Sequence, residues 1–478
     1  MSASFFFYDL ETSGVNPRDA RVMQFAGQRT DMDLKPIGEP ENILIRMTED
    51  VLPDPDAILI TGITPQQTIQ EGITEAKFLK YFHEKIALPG TIFTGFNSVR
   101  FDDEFMRYLL YRNFYDPYEW QYQDGRSRWD LLDVVRMTRA LRPEGIIWPV
   151  VDGKPANRLE LLSAANGIEH SNAHDALSDV RALIDLTALI KRKQPKLFDY
   201  LLQLRDKNRA FEIAMSRKPF LYTSGKYQNE FEKTTAVTVL SEHPKRQGVL
   251  VYDLRYDPTP YADMTPQVLA EAMRRIKDDP GPRLPVKTLQ FNRCPAIAPM
   301  GVLDESSQER LKLDPKAIEQ NFQKLQALTE LPGLVRQAVE LMDSERELKY
   351  LEQEADIDAR LYDGFFERED KTKMSVVRAA DEEGLSSLSV AFKDERLNGL
   401  LPLYKARNFP RSLSDEDRAA WEQFRIRRLT GGKEKSRVAK FFNRLAALAS
   451  DDSLTDQQRY LLGELQLYGE STVPLDVS

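Results

Sequence analysis

The sequence is poor in the residues that mark three large classes of protein. It has one cysteine, Cys294, among 478 residues, which excludes an internal disulfide framework and is typical of a reducing compartment. No apolar run approaches the roughly 20 residues that a membrane span needs. The N-terminus lacks the basic stretch and the small-residue cleavage site of a signal peptide. These absences predict a cytoplasmic protein without a membrane segment.

Net positive charge is also missing, because the formal charge at pH 7 is −9. Nucleic-acid-binding domains are usually basic, so the overall charge does not favour a nucleic-acid partner. It does not exclude one either. Metal-binding carboxylates add negative charge that a bound cation cancels, and a narrow basic groove can lie on an acidic body.

The order of predicted elements indicates three domains, which is compatible with the length of the chain. Strands followed by alternating strands and helices predict an α/β domain with a mixed sheet. Short β-rich runs between about residues 220 and 299 predict a small barrel or sandwich with a helical insert. Beyond residue 356 the pattern is almost wholly helical. We therefore predict an α/β domain over residues 1–195, a β-rich domain with helical insertions over 196–352 and an all-α domain over 353–478.

Two carboxylates end the first apolar run, Phe5 to Tyr8. We predict a strand over residues 4–9, and because side chains alternate along a strand, Asp9 and Glu11 point to the same face. Two like charges this close repel each other unless a cation lies between them, and oxygen ligands suit Mg²⁺ or Mn²⁺. The pattern indicates a metal site. The alternative, a solvated strand end, is the commoner outcome for so short a motif.

Further acids and one histidine follow in a suggestive order. Asp102 begins a predicted helix after a strand, Asp179 lies in the first turns of a later helix, and His174 precedes Asp179 by five residues. Alone, each has an ordinary interpretation, as a helix-capping acid, a surface acid and a helix-entry histidine. Together they form a set suited to phosphodiester cleavage. Carboxylates can hold two metal ions, and a histidine with a pKa near ~6.5 can take a proton from water.

We favour His174 over the other three histidines because it stands at the start of the helix that presents Asp179. No comparable neighbours are predicted for the others, which are His83, His170 and His243.

A resemblance follows from these motifs. Asp-x-Glu, then Asn-x-x-x-Phe-Asp, then His-x-x-x-x-Asp is similar to the DEDDh branch of the DEDD exonuclease superfamily. Segments along nearly the whole chain resemble the bacterial exonuclease I family within it; these are residues 100–104, 111–118, 127–134, 141–146, 165–176, 361–366 and 406–410.

The resemblance implies an α/β fold class, with a ribonuclease H-like nuclease domain on a mixed sheet, a small SH3-like β domain and an all-α C-terminal domain. It implies a monomeric 3′→5′ exonuclease that degrades single-stranded DNA processively to 5′-mononucleotides in DNA repair and recombination. Two Mg²⁺ ions per active site are implied, with Mn²⁺ as a substitute. The implied metal ligands are Asp9, Glu11, Asp102 and Asp179, with His174 as the general base.

A candidate DNA-binding stretch lies between residues 100 and 142, which carry eight arginines and no lysine among many aromatic residues. Guanidinium groups grip phosphates, and aromatic faces accept any base. The alternative is that many of these arginines form structural ion pairs and about half of the rings belong to the core. For Tyr362 and Phe365 the alternative is packing between domains. The predicted DNA contacts are Leu10, Glu11, Thr12, Arg107, Tyr118, Tyr122, Arg136, Arg158, Tyr362 and Phe365.

The resemblance also implies a protein partner, the acidic C-terminal tail of single-stranded DNA-binding protein. The chain departs from the family at Leu313–Lys316, where the family has an arginine that contacts the tail. In this chain we expect that contact to move to Lys316 or to be weaker. The positions that match the family's tail-binding residues are Arg142, Tyr200, Lys218 and Arg336.

Two rival functions stay open at this point. One is an exoribonuclease of the same branch, since discrimination depends on contacts near the 2′ position of the sugar. The other is a non-catalytic single-strand-binding scaffold with an idle site.

Overall fold

The computed structural model describes residues 3–170, 175–276, 279–351, 356–432 and 435–473. Residues 65–86 form two helices followed by one π turn. The first of them ends at Gly72, where a Cβ would lie 2.4 Å from the carbonyl oxygen of Thr68. The elements of the first 126 residues are β1 (Ser4–Thr12), β2 (Val22–Thr30), β3 (Glu41–Leu44), α1 (Pro55–Thr61), α2 (Pro65–Glu71), α3 (Glu75–Tyr81), β4 (Thr91–Gly95) and α4 (Asp102–Arg112).

The sheet built from these strands has the order β3-β2-β1-β4, with β1 inside it. β1 is antiparallel to β2 from Phe5 to Thr12 and parallel to β4 from Ser4 to Phe7 only. The predicted strand end at residue 9 is wrong, because pairing with β2 continues to Thr12. Asp9 and Glu11 therefore lie within the strand, beyond the last residue that pairs with β4.

The β-rich middle predicted from the sequence forms an antiparallel sheet, whose neighbouring strands are, in order, Val286–Leu289, Val249–Asp253, Thr234–Glu242, Phe220–Thr223 and Ala296–Pro299. A helix begins at Leu131, because Asp130 caps it by accepting a hydrogen bond from the N–H of Leu132. The elements are β5 (Ser127–Asp130), α5 (Leu131–Leu141), β6 (Val150–Val151), β7 (Lys154–Pro155), α6 (Leu159–Ala165), α7 (Ala176–Lys193), α8 (Pro195–Gln203), α9 (Lys207–Met215), β8 (Phe220–Thr223), β9 (Thr234–Glu242), β10 (Val249–Asp253), α10 (Pro266–Arg274), β11 (Val286–Leu289), β12 (Ala296–Pro299), α11 (Glu305–Leu311), α12 (Pro315–Ala327) and α13 (Leu331–Leu351).

Within the described part of residues 356–473 every regular element is helical, as predicted. No helix in the described residues is long and apolar enough to cross a membrane. The helices are α14 (Arg368–Ala379), α15 (Glu382–Ser387), α16 (Glu395–Asn408), α17 (Asp415–Thr430), α18 (Arg437–Ala449) and α19 (Asp456–Thr472), with short 3₁₀ turns before and between them.

The chain divides into two compact units. The first contains Met1–Arg126, His170–Arg181 and Ala355–Ser478, and the second contains Ser127–Glu169 and Ala182–Glu354. In the first unit, helices of the C-terminal region share apolar cores with the N-terminal region. Tyr111 of α4 packs in one cluster with Leu400, and Met23 of β2 packs in another with Leu465. This division differs from the three predicted ranges, which stay a prediction.

Candidate metal centre and nucleic-acid interface

Three carboxylates come together in the first unit. Asp9 and Glu11 project from the same face of β1, and Asp179 projects from the first turn of α7. One oxygen of each lies within 4.8 Å of the others. Glu11 is buried, and Asp9 and Asp179 are partly buried. The alternation along β1 thus places Asp9 and Glu11 together as predicted, and α7 adds the third acid.

The proximity of these acids disfavours their charged forms. Burial raises the pKa of Asp9 to about 8, with a further contribution from the charge of Asp179. Burial likewise raises the pKa of Glu11 to about 9, followed by the charges of Asp9, Asp179 and Asp175. A bound cation would reverse this effect, because it favours the ionised carboxylates.

The donor set fits a divalent metal ion. It consists of carboxylate oxygens, which hard cations prefer. The three carboxylates are close together and shielded from solvent, so their negative charges repel one another strongly unless a cation lies between them. Asp102 begins α4 and is 4% exposed, but it is not in this group of three among the described residues. It stays a predicted ligand. Its neighbour Asp103 accepts a hydrogen bond of 2.6 Å from the hydroxyl of Tyr8, which ties α4 to β1.

The predicted base, His174, lies outside the described residues. His170 contacts Asp179 directly through its Nε2 atom, and both side chains are largely shielded from solvent. The interpretation that His170 lacks comparable neighbours is therefore wrong. The signal for His170 in the sequence was its position: like His174, it lies in the short connection between α6 and α7.

Four of the predicted DNA contacts form one cluster in the first unit. The guanidinium of Arg107 lies 5.5 Å from the ring centre of Tyr118 and 2.5 Å from the carboxylate of Glu104. The hydroxyl of Tyr362 hydrogen-bonds to Glu104, and the rings of Tyr118 and Phe365 lie 5.7 Å apart. Phe365 is 85% exposed. We call these five residues the Arg107–Phe365 cluster. Glu104 is the member that sequence reasoning missed.

The other predicted DNA contacts in the first unit differ in exposure. Tyr122 is exposed, and the Thr12 hydroxyl donates to the carbonyl oxygen of Gly14 at 2.9 Å. Leu10 is 4% exposed and packs in the apolar core. The side chain of Leu10 therefore points away from the carboxylates, as its position in the strand predicts.

The two predicted DNA contacts of the second unit form ion pairs on their own helices. Arg136 of α5 lies 2.7 Å from the carboxylate of Asp133. Arg158, directly before α6, is exposed and lies 3.4 Å from Glu160. Both guanidinium groups therefore have a local carboxylate partner, which is the alternative given above for the arginines of residues 100–142 and so for Arg136.

Three of the four predicted tail-binding residues lie along one segment of the second unit. Arg142 donates to the carbonyl oxygen of Val302 at 2.9 Å, and the Tyr200 hydroxyl donates to that of Ile297 at 3.1 Å. Lys218 is exposed and precedes β8, whose first residue pairs with the last residue of β12. Arg336 lies on α13, where it pairs with Glu340 at 3.4 Å.

Comparison with known proteins gives matches along nearly the whole chain. Family profiles match at residues 6–187 (Exonuclease), 205–341 (Exonuclease I SH3-like domain) and 355–472 (Exonuclease I C-terminal domain). Exodeoxyribonuclease I of Escherichia coli K12 is 41% identical over 429 residues, which are 88% of this chain and 89% of that protein. The Haemophilus influenzae enzyme is 38% identical over 474 residues, 98% of each chain.

Solved structures agree with these matches. Exonuclease I of Methylocaldum szegediense has a TM-score of 0.92 at 41% identity, covering 99% of this chain and 100% of that one. E. coli exonuclease I in complex with a dA16 oligonucleotide has a TM-score of 0.93 at 37% identity, covering 98% and 100%. A zinc-ion-bound E. coli ExoI–ssDNA complex and an ExoI/SSB-Ct complex each have a TM-score of 0.91 at 36% identity, covering 99% and 100%. The chain belongs to the exodeoxyribonuclease I family.

Proposed function

We propose that this chain is a divalent-metal-dependent 3′→5′ exonuclease that degrades single-stranded DNA processively to 5′-mononucleotides during DNA repair and recombination. The observation that carries the proposal is the convergence of Asp9, Glu11 and Asp179 within 4.8 Å in a chain of this family. The dA16 and zinc-bound complexes of its relatives support a single-stranded DNA substrate and a divalent cofactor.

The carboxylates of Asp9, Glu11, Asp102 and Asp179 would hold two Mg²⁺ ions, for which Mn²⁺ substitutes. When bound, such ions supply an activated water and stabilise the charge on the leaving oxygen of the phosphodiester. His174 takes the proton of the attacking water. The hydrogen bond between His170 and Asp179 fixes the orientation of one ligand, which is the usual role of a residue that contacts a metal ligand but not the metal.

The Arg107–Phe365 cluster supplies a surface for a strand of any sequence. Phe365 and Tyr362 expose aromatic faces on which bases can stack, and Arg107 supplies positive charge next to them. The exposed ring of Tyr122 belongs to the same proposal. The main chain of Leu10 and the Thr12 hydroxyl contact the terminal nucleotide, and Arg136 and Arg158 contact phosphates after exchanging their local carboxylate partners.

The partner in this proposal is the acidic C-terminal tail of single-stranded DNA-binding protein, as in the ExoI/SSB-Ct complex. The guanidinium of Arg142 and the ring of Tyr200 contact the segment from Ile297 to Val302, and positive charge beside an aromatic ring suits an acidic, apolar peptide. Arg336 belongs to the same proposal, and the contact that the family makes through an arginine either moves to Lys316 or is weaker in this chain. The proposed enzyme is a monomer of the cytoplasm, where a nuclease of this kind meets chromosomal DNA.

The proposal is tested with matched DNA and RNA oligonucleotides that carry a label at the 3′ or the 5′ end. In Mg²⁺ we expect early loss of the 3′ label from DNA, late loss of the 5′ label, and no release in EDTA. Asp9→Asn is the control for a contaminating nuclease. Earlier loss of the 5′ label would contradict the polarity, and faster turnover of RNA would assign the site to an exoribonuclease.

A further inference from the structure

Seven charged side chains form a buried cluster within the first unit, and none is more than 8% exposed. Four come from the N-terminal region and three from the C-terminal region. We call them the ionic cluster; its members are Arg21, Asp50, Glu75, Arg112, Asp358, Arg407 and Arg428.

Asp358 is the centre of this cluster. It accepts two hydrogen bonds from Arg407, of 2.8 and 2.6 Å, and one from Arg428 of 2.9 Å. Arg21 donates to the same carboxylate at 3.1 Å. Asp50 also binds Arg407, at 2.7 Å, and Arg21, at 3.4 Å. One carboxylate of the C-terminal region thus binds Arg21, which directly precedes β2.

The arginines keep both aspartates ionised despite complete burial. Burial alone would raise the pKa of Asp358, but Arg407, Arg428 and Arg21 lower it well below its ordinary value. The same three arginines lower the pKa of Asp50 against the opposing effect of burial. A buried ion pair is a weak source of stability, because the cost of desolvation offsets most of the attraction. Its directional hydrogen bonds are well suited to holding a geometry.

The main chain of Arg21 connects the cluster to the metal centre. The N–H of Ser13 donates to the carbonyl oxygen of Arg21 at 2.9 Å, and the N–H of Arg21 donates to the Ser13 hydroxyl at 2.8 Å. The carbonyl oxygen of Ser13 also accepts a hydrogen bond of 2.7 Å from the N–H of Asp54. Ser13 follows Glu11 by two residues, at the end of β1 where the register with β2 shifts. The end of the carboxylate-bearing strand is therefore held by the residue that Asp358 binds.

We infer that the ionic cluster is a positioning device for the metal centre. Asp358 and Arg407 are positioning residues: they fix Arg21, and through Ser13 they fix the end of β1 and the placement of Glu11. The C-terminal region thereby contributes to metal affinity without supplying a ligand. The inference rests on the proposed metal-dependent function.

Its test is direct binding of Mn²⁺ to DNA-free protein, followed by the electron paramagnetic resonance signal of free Mn²⁺. We expect Asp358→Asn, which keeps the shape of the side chain and removes its charge, to weaken Mn²⁺ binding several-fold, up to the roughly 10-fold that is the smallest usual effect of removing a residue in direct contact with a metal ligand. Leu385→Ala, in the buried core around α15, is the control for general destabilisation. Leu385→Ala should leave the Mn²⁺ affinity unchanged even where it lowers the unfolding temperature as much as Asp358→Asn does.

Ser13→Ala tests the connection itself and keeps the inference testable if Asp358→Asn does not fold. It removes the acceptor of the Arg21 N–H and should weaken Mn²⁺ binding in the same direction. In the double variant the two losses should not add, because both act through one route.

Unchanged Mn²⁺ affinity in Ser13→Ala and Asp358→Asn would overturn the inference, as would an equal weakening in Leu385→Ala. The proposed function would fail instead if the wild-type protein did not bind Mn²⁺, or if Asp9→Asn bound Mn²⁺ as tightly as the wild-type protein does.

Discussion

In metal-free buffer we expect Glu11→Gln to be more stable than the wild-type protein, although it removes a predicted metal ligand. Glu11 is 8% exposed, and its pKa is raised to about 9 by burial and then by Asp9, Asp179 and Asp175. A carboxyl group with a raised pKa keeps its proton in the folded protein and loses it on unfolding. The stability of the wild-type protein therefore falls as pH rises from about 4.5 to about 9.

The magnitude follows from the same pKa. Each pH unit in this window costs ~1.4 kcal/mol for one group that is protonated only in the folded state. Between about pH 5 and pH 8, Glu11 alone accounts for at most ~4 kcal/mol. Glutamine has the same shape and does not titrate, so Glu11→Gln should escape this loss.

The assay is thermal unfolding of both proteins in EDTA and in Mn²⁺ at about pH 5.5, 7 and 8.5. In EDTA we expect the difference in unfolding temperature, variant minus wild type, to be small at the lowest pH and to grow with pH. Mn²⁺ should raise the unfolding temperature of the wild-type protein, because a ligand that binds the folded state stabilises it. It should have little effect on the variant, which lacks a predicted metal ligand. Parallel pH profiles of the two proteins in EDTA would refute the electrostatic account of the site.

Three further predictions concern the DNA surface, the partner segment and the histidines. Phe365→Ala should leave stability within ~0.5 kcal/mol of wild type, because the ring is exposed, but weaken oligo-dT binding by ~1–3 kcal/mol in fluorescence anisotropy. Lys218→Glu should weaken binding of an acidic tail peptide by roughly 1–2 kcal/mol in calorimetry, without changing degradation of free single-stranded DNA. His174→Ala should slow hydrolysis by ~10²–10⁴-fold with unchanged DNA binding, whereas His170→Ala should mainly raise the Mg²⁺ concentration for half-maximal rate.

Each of these has a result that would contradict it. Wild-type affinity for oligo-dT in Phe365→Ala would leave that ring without a role in binding DNA. A slower rate on free DNA in Lys218→Glu would place the lysine in the substrate path. Full activity of His174→Ala together with inactivity of His170→Ala would assign the base to His170.

The centre of the first sheet and two of its carboxylates were predictable because their signals are local. The run Phe5 to Tyr8 indicates a buried strand, and alternation alone places Asp9 and Glu11 on one face. The length of β1 was not predictable in this way. It continues to Thr12 only because β2, a separate part of the chain, still pairs with it there.

Proline makes two helices hard to locate from the local sequence. The domain boundary predicted after residue 195 falls inside a helix, because Pro195 is the first residue of α8, a position that proline favours. Pro402 lies inside α16, where proline normally ends a helix. That helix carries Arg407, and surrounding tertiary contacts stabilise it against the local preference.

The ionic cluster shows the limit of single-sequence reasoning about charge. Arg21 and Asp358 are 337 positions apart, and each has the appearance of an ordinary surface residue in its own segment. Long-range contacts alone determine that both are buried. The contact of His170 with Asp179 was missed for a similar reason, because the path of the chain between α6 and α7 is not encoded in periodicity.

The central claim is that Asp9, Glu11 and Asp179 hold the divalent metal that hydrolysis requires. Its most direct test is the rate of mononucleotide release from 3′-labelled single-stranded DNA over a Mg²⁺ titration. The rate is measured for the wild-type protein and for Asp179→Asn, at a temperature well below the unfolding temperatures of both proteins. We predict no release without a divalent ion and a loss of more than about 100-fold in Asp179→Asn, larger than the loss of an outer-shell partner causes. Release in EDTA, or a wild-type Mg²⁺ dependence in Asp179→Asn, would contradict the claim.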